Sequence, residues 1–523
     1  MLKSKMAKVL VSTMVLLGLF VPWILMATGC SSHQPKVKPK DEAPVIVPDK
    51  PNGKKVLFDN THEQTAGSAD WVIDGGFSDF AQALADEGYE VKELRKKDPL
   101  TYDDLRPYDV FVIGEANNPY KQSEQTALWQ YVQNGGSILF ISDHYNADRN
   151  KNRWDPSEAF NGYRRGAWNS PTKGMSPEEA KSPPMQNVIS TDWLAQHFGV
   201  RFRYNAIGDV TANQIVPPDQ SFGITKDVQT FAMHAGSTVA ILDPQKAKGI
   251  VYLPRTNAKW PHAVDQGVYN GGGIPEGPMV AVAKAGKGKA AFIGDSSPVE
   301  DDTPKYRNEE TGAPKKTHDG FHEQDDAVLL VNLVNWLAKK ENYTRLSEVP
   351  GLKLDQPTRL YEWEQPAKST EPEKEPWEPP ANGYKWWDPS TFKPGSYGAT
   401  DSGEPSPPSG DVRYIAEHPN PIPAGKTVTI RVMADGLQPG TTANGYRLGL
   451  YLEGGKQVAK FRNADGSWPS TYGYSAPFQL KSDSKGHAEI TLTAQIDPGS
   501  KGTAYIRLKQ DRDIRWTNKL EIR

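Results

Sequence analysis

Cysteine is all but missing: among 523 residues there is one, Cys30. Without a second thiol the chain can form no intrachain disulfide. A large excess of one charge is also missing, since 61 Lys and Arg stand against 64 Asp and Glu, a net of −3. That balance gives no global pull toward nucleic acid or anionic lipid. Apolar residues make up only 37% of the chain, while Gly (46) and Pro (43) are plentiful. A chain of this length and composition divides into about two or three cores joined by connecting segments. Two strong catalytic signatures are absent as well, an HExxH pair and a G-x-S-x-G turn.

What is present begins at the N-terminus. Lys3, Lys5 and Lys8 precede an apolar stretch from Val9 to Met26, interrupted by Pro22, and Ala27-Thr28-Gly29-Cys30 follows. The arrangement resembles a bacterial lipoprotein signal peptide (residues 1–29), in which small residues precede a cysteine that is lipidated and becomes the new N-terminus. Ala27 departs from that pattern, which prefers Leu there. The alternative is an uncleaved anchor, because about eighteen apolar residues nearly span a bilayer. In both cases the rest of the chain lies on the extracytoplasmic face of the cell membrane. In the first it is held by lipid, palmitate included, on Cys30, and no free thiol remains for chemistry. Removing residues 1–29 takes away three Lys and no acid, leaving 58 basic against 64 acidic side chains and a net of −6.

Residues 30–53 are rich in Pro, Lys and acids without apolar periodicity and read as a tether. Residues 346–411, with EPEKEPWEPP and GEPSPPSG, read as a Pro-rich linker, although GYKWWDPSTF (383–392) is aromatic enough to dock on a neighbouring domain. Between them, residues 54–345 alternate strand and helix patterns. KKVLFDN, VKEL, DVFVIGEANN, SILFIS and GKAAFIGDSS read as strands, while 74–90, 123–136 and 325–340 have helical apolar spacing. That alternation predicts a parallel sheet covered on both faces, with an insertion at about 149–190. Residues 412–523 alternate apolar and polar in seven short runs separated by Gly, Asp, Asn and Pro, which predicts an all-β, immunoglobulin-like sandwich. Trp468, Tyr472 and Tyr474 in its GSWPSTYGYSAP loop could meet sugar rings or cap the core.

The strand ending in Asp59-Asn60, the strand-end GEANN, the NGG-SILFIS-DH step and GKAAFIGDSS before NLVNWLA resemble the class I glutamine amidotransferase-like superfamily. The likeness is nearest its non-amidotransferase, trehalose-utilisation-like and lipoprotein-borne branches. It implies a flavodoxin-like sheet. In true amidotransferases a catalytic cysteine sits on the turn after the strand matching SILFIS, where this chain has Ser142 and Asp143, so glutamine hydrolysis is not implied.

Open α/β sheets collect ligands beyond the carboxyl ends of their strands. There this chain places Asp59 with His62, Glu115 with Asn117, Asp143 with His144 and Asp148, and Asp295 with Ser296. One Asp after a strand is usually a helix cap or turn former. Several converging carboxylates would repel one another, and a divalent cation (Mg²⁺, Mn²⁺, Ca²⁺ or Zn²⁺) would relieve that. Asp59, His62, Asp143, Asp148 and Asp295 are the expected ligands, with His318 and His322 as additions. A hydrolase of phosphoester, acyl or glycan-type substrates follows, with His144 and Asp143 catalytic. A second catalytic reading makes Ser142 a nucleophile with His144 or His62 as base.

In the insertion, Arg149, Lys151, Arg153, Arg164 and Arg165 interleave with Trp154, Phe160, Tyr163 and Trp168. They could clamp an anionic or cyclic ligand, such as extracellular nucleic acid, a phosphorylated metabolite or a wall polysaccharide. They could equally form a lid whose arginines pair with local acids. The competing function class is a non-catalytic lipoprotein that uses the amidotransferase-like domain as a ligand- or DNA-binding module.

Overall fold

The computed structural model describes residues 43–262, 269–370, 379–400, 412–435, 437, 440–483, 486–510 and 513–523. The signal-like segment and Cys30 lie outside the described residues. Residues Ala43–Arg523 form one unit.

Strict alternation of apolar side chains builds the central sheet. Val56, Phe58, Val112, Leu139, Ile141, Ala291 and Ile293 face one way into one core, and Leu57, Phe111, Ile113, Ile138, Phe140 and Phe292 face the other way into a second. The strands are β1 (Val45–Ile46), β2 (Lys55–Asp59), β3 (Glu90–Leu94), β4 (Val110–Gly114), β5 (Ser137–Ile141), β6 (Val200–Phe202), β7 (Val210–Ala212), β8 (Gln214–Ile215), β9 (Phe231–Met233), β10 (Val239–Ile241), β11 (Ala247–Tyr252), β12 (Pro278–Ala285) and β13 (Gly288–Ile293). Nine of them form one sheet, in the order β1-β3-β2-β4-β5-β13-β12-β11-β8. The run β3-β2-β4-β5-β13 is parallel. Both flanks are antiparallel. β6 pairs with β10 and β7 with β9 outside this sheet.

The helices are α1 (Ser78–Asp86), α2 (Tyr102–Leu105), α3 (Gln122–Gln133), α4 (Pro156–Asn161), α5 (Trp193–Phe198) and α6 (Asp326–Leu337). α1 and α6 cover the first face, and α3 and α5 the second. The sheet is therefore mixed, where a parallel one was expected. The chain adds β12 to β13 through the short turn at Gly286-Lys287, and Gly286 adopts φ +60, which a two-residue hairpin turn demands.

In the C-terminal part the named strands pair antiparallel throughout. Strands β14 (Arg413–Glu417), β15 (Thr427–Asp435), β16 (Thr442–Leu452), β17 (Ala459–Phe461), β18 (Phe478–Lys481), β19 (His487–Ile496), β20 (Gly502–Gln510) and β21 (Asp513–Ile522) form two four-stranded sheets, β14-β15-β19-β17 and β18-β16-β20-β21. They share a core that includes Ile430, Val432, Leu448, Leu450, Ile506 and Leu508.

The segment read as a Pro-rich linker is packed against the α/β domain over much of its described length. Glu364 receives Arg203 Nε and Nη2, both at 2.9 Å, in a buried bidentate pair. Asp355 accepts from Lys248 Nζ at 2.8 Å and from the Gly249 amide at 2.7 Å. Tyr384, Trp386 and Phe392 form a small core with Trp154 and Met185 of the insertion. The aromatic content of GYKWWDPSTF thus serves to strap the chain onto the domain.

Candidate functional site

In the parallel run the strand order reverses between β2 and β4, and the polar residues past those strand ends separate into distinct clusters. At β2, His62 Nδ1 meets Asp59 Oδ2 at 3.0 Å and His62 Nε2 meets Glu124 Oε1 at 3.4 Å. Its ring stacks on Tyr120 with 3.8 Å between centroids, and Tyr120 OH donates to Asp59 Oδ2 at 3.1 Å. Burial alone would lower the His62 pKa, yet Glu124 and Asp59 outweigh it and raise the value to about 10. With both ring nitrogens engaged by carboxylates, His62 is a buried imidazolium. In this arrangement Asp59 and His62, expected as metal ligands, pair with each other, and the positive charge at this strand end is the imidazole itself.

The second cluster gathers Glu115, Asp143, Asp295 and Glu300. Arg149 Nε donates to Glu115 Oε1 at 2.8 Å, and its Nη2 pairs with Asp143 Oδ2. Glu300 is bound by Trp71 Nε1 and by Ser296 Oγ, each at 2.7 Å. Burial pushes Glu115 and Asp295 well above the ordinary carboxylate range; Asp143 pushes both further, while Arg149 opposes the shift at Glu115. Burial also raises Glu300. The expected convergence of carboxylates exists, and Arg149 stands among them as a counter-charge to Glu115 and Asp143. Arg149 is thus an internal counter-charge here, and Asp143 is its partner.

Two further expectations resolve locally. Ser142 is fully buried; its amide continues the strand ladder to the Ile293 carbonyl at 2.8 Å, and its hydroxyl reaches only the Asp143 carbonyl, at 3.5 Å. His144 Nδ1 lies 2.8 Å from the Tyr145 carbonyl, which can only accept, so Nδ1 carries the proton and Nε2 keeps its lone pair. Burial lowers the His144 pKa and keeps the ring neutral. Among the described residues no histidine is hydrogen-bonded to Ser142, which removes support for the nucleophile reading. Asp148 caps its own loop, accepting from the Arg153 amide at 2.8 Å, and burial raises its pKa to about 7. Asn117 donates to the Glu63 and Glu115 carbonyls at 3.0 and 2.8 Å.

The arginines of the insertion are also used internally. Arg153 pairs with Glu179 at 2.8 Å, and buried Arg164 lies in the field of Glu158. Arg165 donates to the Thr370 carbonyl at 2.7 Å and stands over the rings of Trp363, Tyr145 and Tyr204. The lid reading describes this segment.

A cluster that the strand-end rule did not collect lies beside Asp295 and Glu300. His234, directly after β9, and His318 aim Nε2 at the two oxygens of Glu323, at 2.8 and 2.9 Å. All three donor atoms lie within 4.8 Å of one another. The His234 amide donates to Asp295 Oδ2 at 2.6 Å and the His318 amide to Glu300 Oε2 at 2.7 Å. Asp209 Oδ1 stands 3.4 Å from His234 Nδ1, where an outer carboxylate orients a ligating imidazole. Asp295, expected as a ligand, here holds the backbone of His234. Two imidazoles and one carboxylate are the donor set of a three-ligand catalytic metal site. His318 was legible in THDGFHE, and His234 could have been found by applying the strand-end rule to FAMH.

Asp79, Asp319 and His322 form a second metal-competent group. There Arg507 of β20 already pairs with Asp79, and His322 has Asp319 at 2.6 Å and Asp79 at 3.3 Å on its two nitrogens. A guanidinium in that place opposes a metal cation.

No protein-family model matches the chain, and none of the curated proteins matches it. Among solved structures, one described as "mmIFT52 N-terminal domain" is similar with a TM-score of 0.35 and 12% identity, over 55% of this chain and 99% of that chain. A likeness at that level carries no argument about function. Among the described residues, no helix is long and apolar enough to cross a membrane.

Proposed function

We propose that the protein is a lipid-anchored extracytoplasmic hydrolase that uses a divalent metal ion held by His234, His318 and Glu323. The convergence of those three side chains at the carboxyl edge of β13, braced by Asp295 and Glu300, carries the proposal. His234, His318 and Glu323 would hold the ion, which would supply Lewis-acid chemistry toward a water and a phosphoryl or acyl oxygen. His144, neutral and with Nε2 free of its proton, is the acid–base residue of this reading. The α/β domain is a flavodoxin-like member of the class I glutamine amidotransferase-like superfamily without its cysteine. The parallel order β3-β2-β4-β5-β13 supports that assignment, because it places the second strand outside the first and the later three on the other side. The C-terminal part is an immunoglobulin-like sandwich, and the resemblance of residues 1–30 to a lipoprotein signal supports the anchor.

Metal analysis of the purified chain, with turnover of chromogenic phosphodiesters and esters, tests the proposal. One equivalent of metal that is lost in His318→Ala and Glu323→Gln together with turnover is the expected result. A protein that neither contains a divalent ion nor shifts in thermal stability on adding one overturns it. Metal binding without turnover on any of these substrates selects the non-catalytic binding module.

A further inference from the structure

The turn from His318 to Glu323 presents two sets of side chains in two directions. His318 and Glu323, at its ends, meet His234. Asp319 and His322, inside it, meet the domain boundary. There His322 Nδ1 is 2.6 Å from Asp319 Oδ1, and its Nε2 is 3.3 Å from Asp79 Oδ2. The other Asp79 oxygen pairs with Arg507 of the sandwich.

Phe321, at the centre, is buried, and the sandwich backbone at Gly455 approaches so closely that a Cβ there would come within 2.9 Å of its ring. Beside this contact Lys509 pairs with Asp302 and stands 4.5 Å from the centroid of Tyr474, while Arg507 stands 5.0 Å from that of Tyr451. Arg507 and Asp79 are both removed from solvent, so neither charge has water as a substitute partner.

The turn has little regular structure of its own. Its 3-10 core is Gly320–His322, and Glu323 N bonds back to Gly320 O at 2.8 Å. On the α/β side it is held by Glu300, through the amides of His318 and Phe321. On its other side the turn meets Asp79 of α1 through His322, and the sandwich through Gly455 and through Tyr451, whose ring centroid lies 6.3 Å from that of His322.

We propose that the sandwich is a positioning element of the metal centre: Arg507, acting through Asp79 and His322, fixes the His318–Glu323 turn so that two of the three ligands meet His234. This rests on the metal reading above and adds to it a dependence on the second domain. The donor set names the ion class too. Two imidazole nitrogens and one carboxylate suit a borderline ion of the zinc kind, whereas Mg²⁺ and Ca²⁺ prefer oxygen throughout.

Coupling of this kind is reciprocal: if docking strengthens metal binding, metal strengthens docking by the same factor. The test uses the full chain and Zn²⁺, with affinity measured by competition against a chromogenic chelator. Arg507→Met is expected to weaken Zn²⁺ roughly tenfold and to alter the visible spectrum of the Co²⁺-loaded protein. Arg507→Lys is expected to recover most of the loss. Arg431→Met, which breaks an exposed pair with Glu489 on the other sheet, is expected to leave both unchanged.

In the wild type, hydrogen exchange across Gly502–Gln510 is expected to slow when Zn²⁺ is added. That measurement needs no variant and decides the matter if Arg507→Met does not fold. A folded Arg507→Met protein with wild-type Zn²⁺ affinity, or exchange in that strand indifferent to Zn²⁺, overturns the coupling alone. A wild type that binds no Zn²⁺ overturns the metal reading, and the coupling with it.

Discussion

Arg149 and Glu115 meet at 2.8 Å across 34 residues of chain, the guanidinium on one side of the domain's carboxylate cluster and the acid fully buried. One cation thus stands against both Glu115 and Asp143. Removing one partner of a buried pair leaves the other charge without compensation, at a cost of about 3–5 kcal/mol. Arg149→Met is therefore expected to lower stability by about that amount in urea denaturation. Adding Glu115→Gln to it is expected to return part of the loss, which a double-mutant cycle would measure.

A pH dependence follows from His62 and Glu124. The His62 pKa is raised from 6.5 to about 10 in the folded chain, so its stabilisation is complete below pH 6.5 and is lost as pH rises through about 10. His62 in turn helps to lower the Glu124 pKa from 4.5 to about 2, against the opposing effect of burial. That contribution is complete above pH 4.5 and is lost as pH falls through about 2. Both operate together between pH 4.5 and 6.5. His62→Gln is expected to cost about 3 kcal/mol in that window and progressively less above it, measured as unfolding free energy against pH.

The strap gives a third prediction. Trp386 is almost fully buried against Trp154 and Met185, and its Nε1 donates to Glu179 at 3.0 Å. Trp386→Ala is expected to destabilise by about 3 kcal/mol through the cavity it leaves. It is also expected to make residues 379–400 a preferred site of limited proteolysis. A protease pattern identical to wild type would contradict the packing of this segment.

The parts of the fold legible in the sequence were those with a clear period. β2, α1, β4, β5 and α6 fall within the segments their apolar spacing marked, and α3 starts one residue before its segment, at Gln122. β12 escaped because PMVAVAKA is buried on both faces and so shows no alternation, while its alanines suit a helix as well as a strand. At the site, the strand-end rule found Glu115, Asp143 and Asp295. It could not find Trp71 and Glu300, whose bond joins positions 229 apart in sequence. Arg149 looked like a ligand clamp because its two acids lie 34 and 6 residues away, and only the folded chain shows that they are its partners. His234 was hidden by the shortness of β9, which is three residues long.

Among the described residues, the nine-stranded sheet ends on each side with a strand of only two residues, β1 and β8. Long open edges present rows of unpaired backbone groups on which another chain can add a strand. At high local concentration, copies of the chain would meet one another far more often than in dilute solution. Blunt margins leave such neighbours little backbone to zip onto, so crowding need not lead to fibrous aggregation.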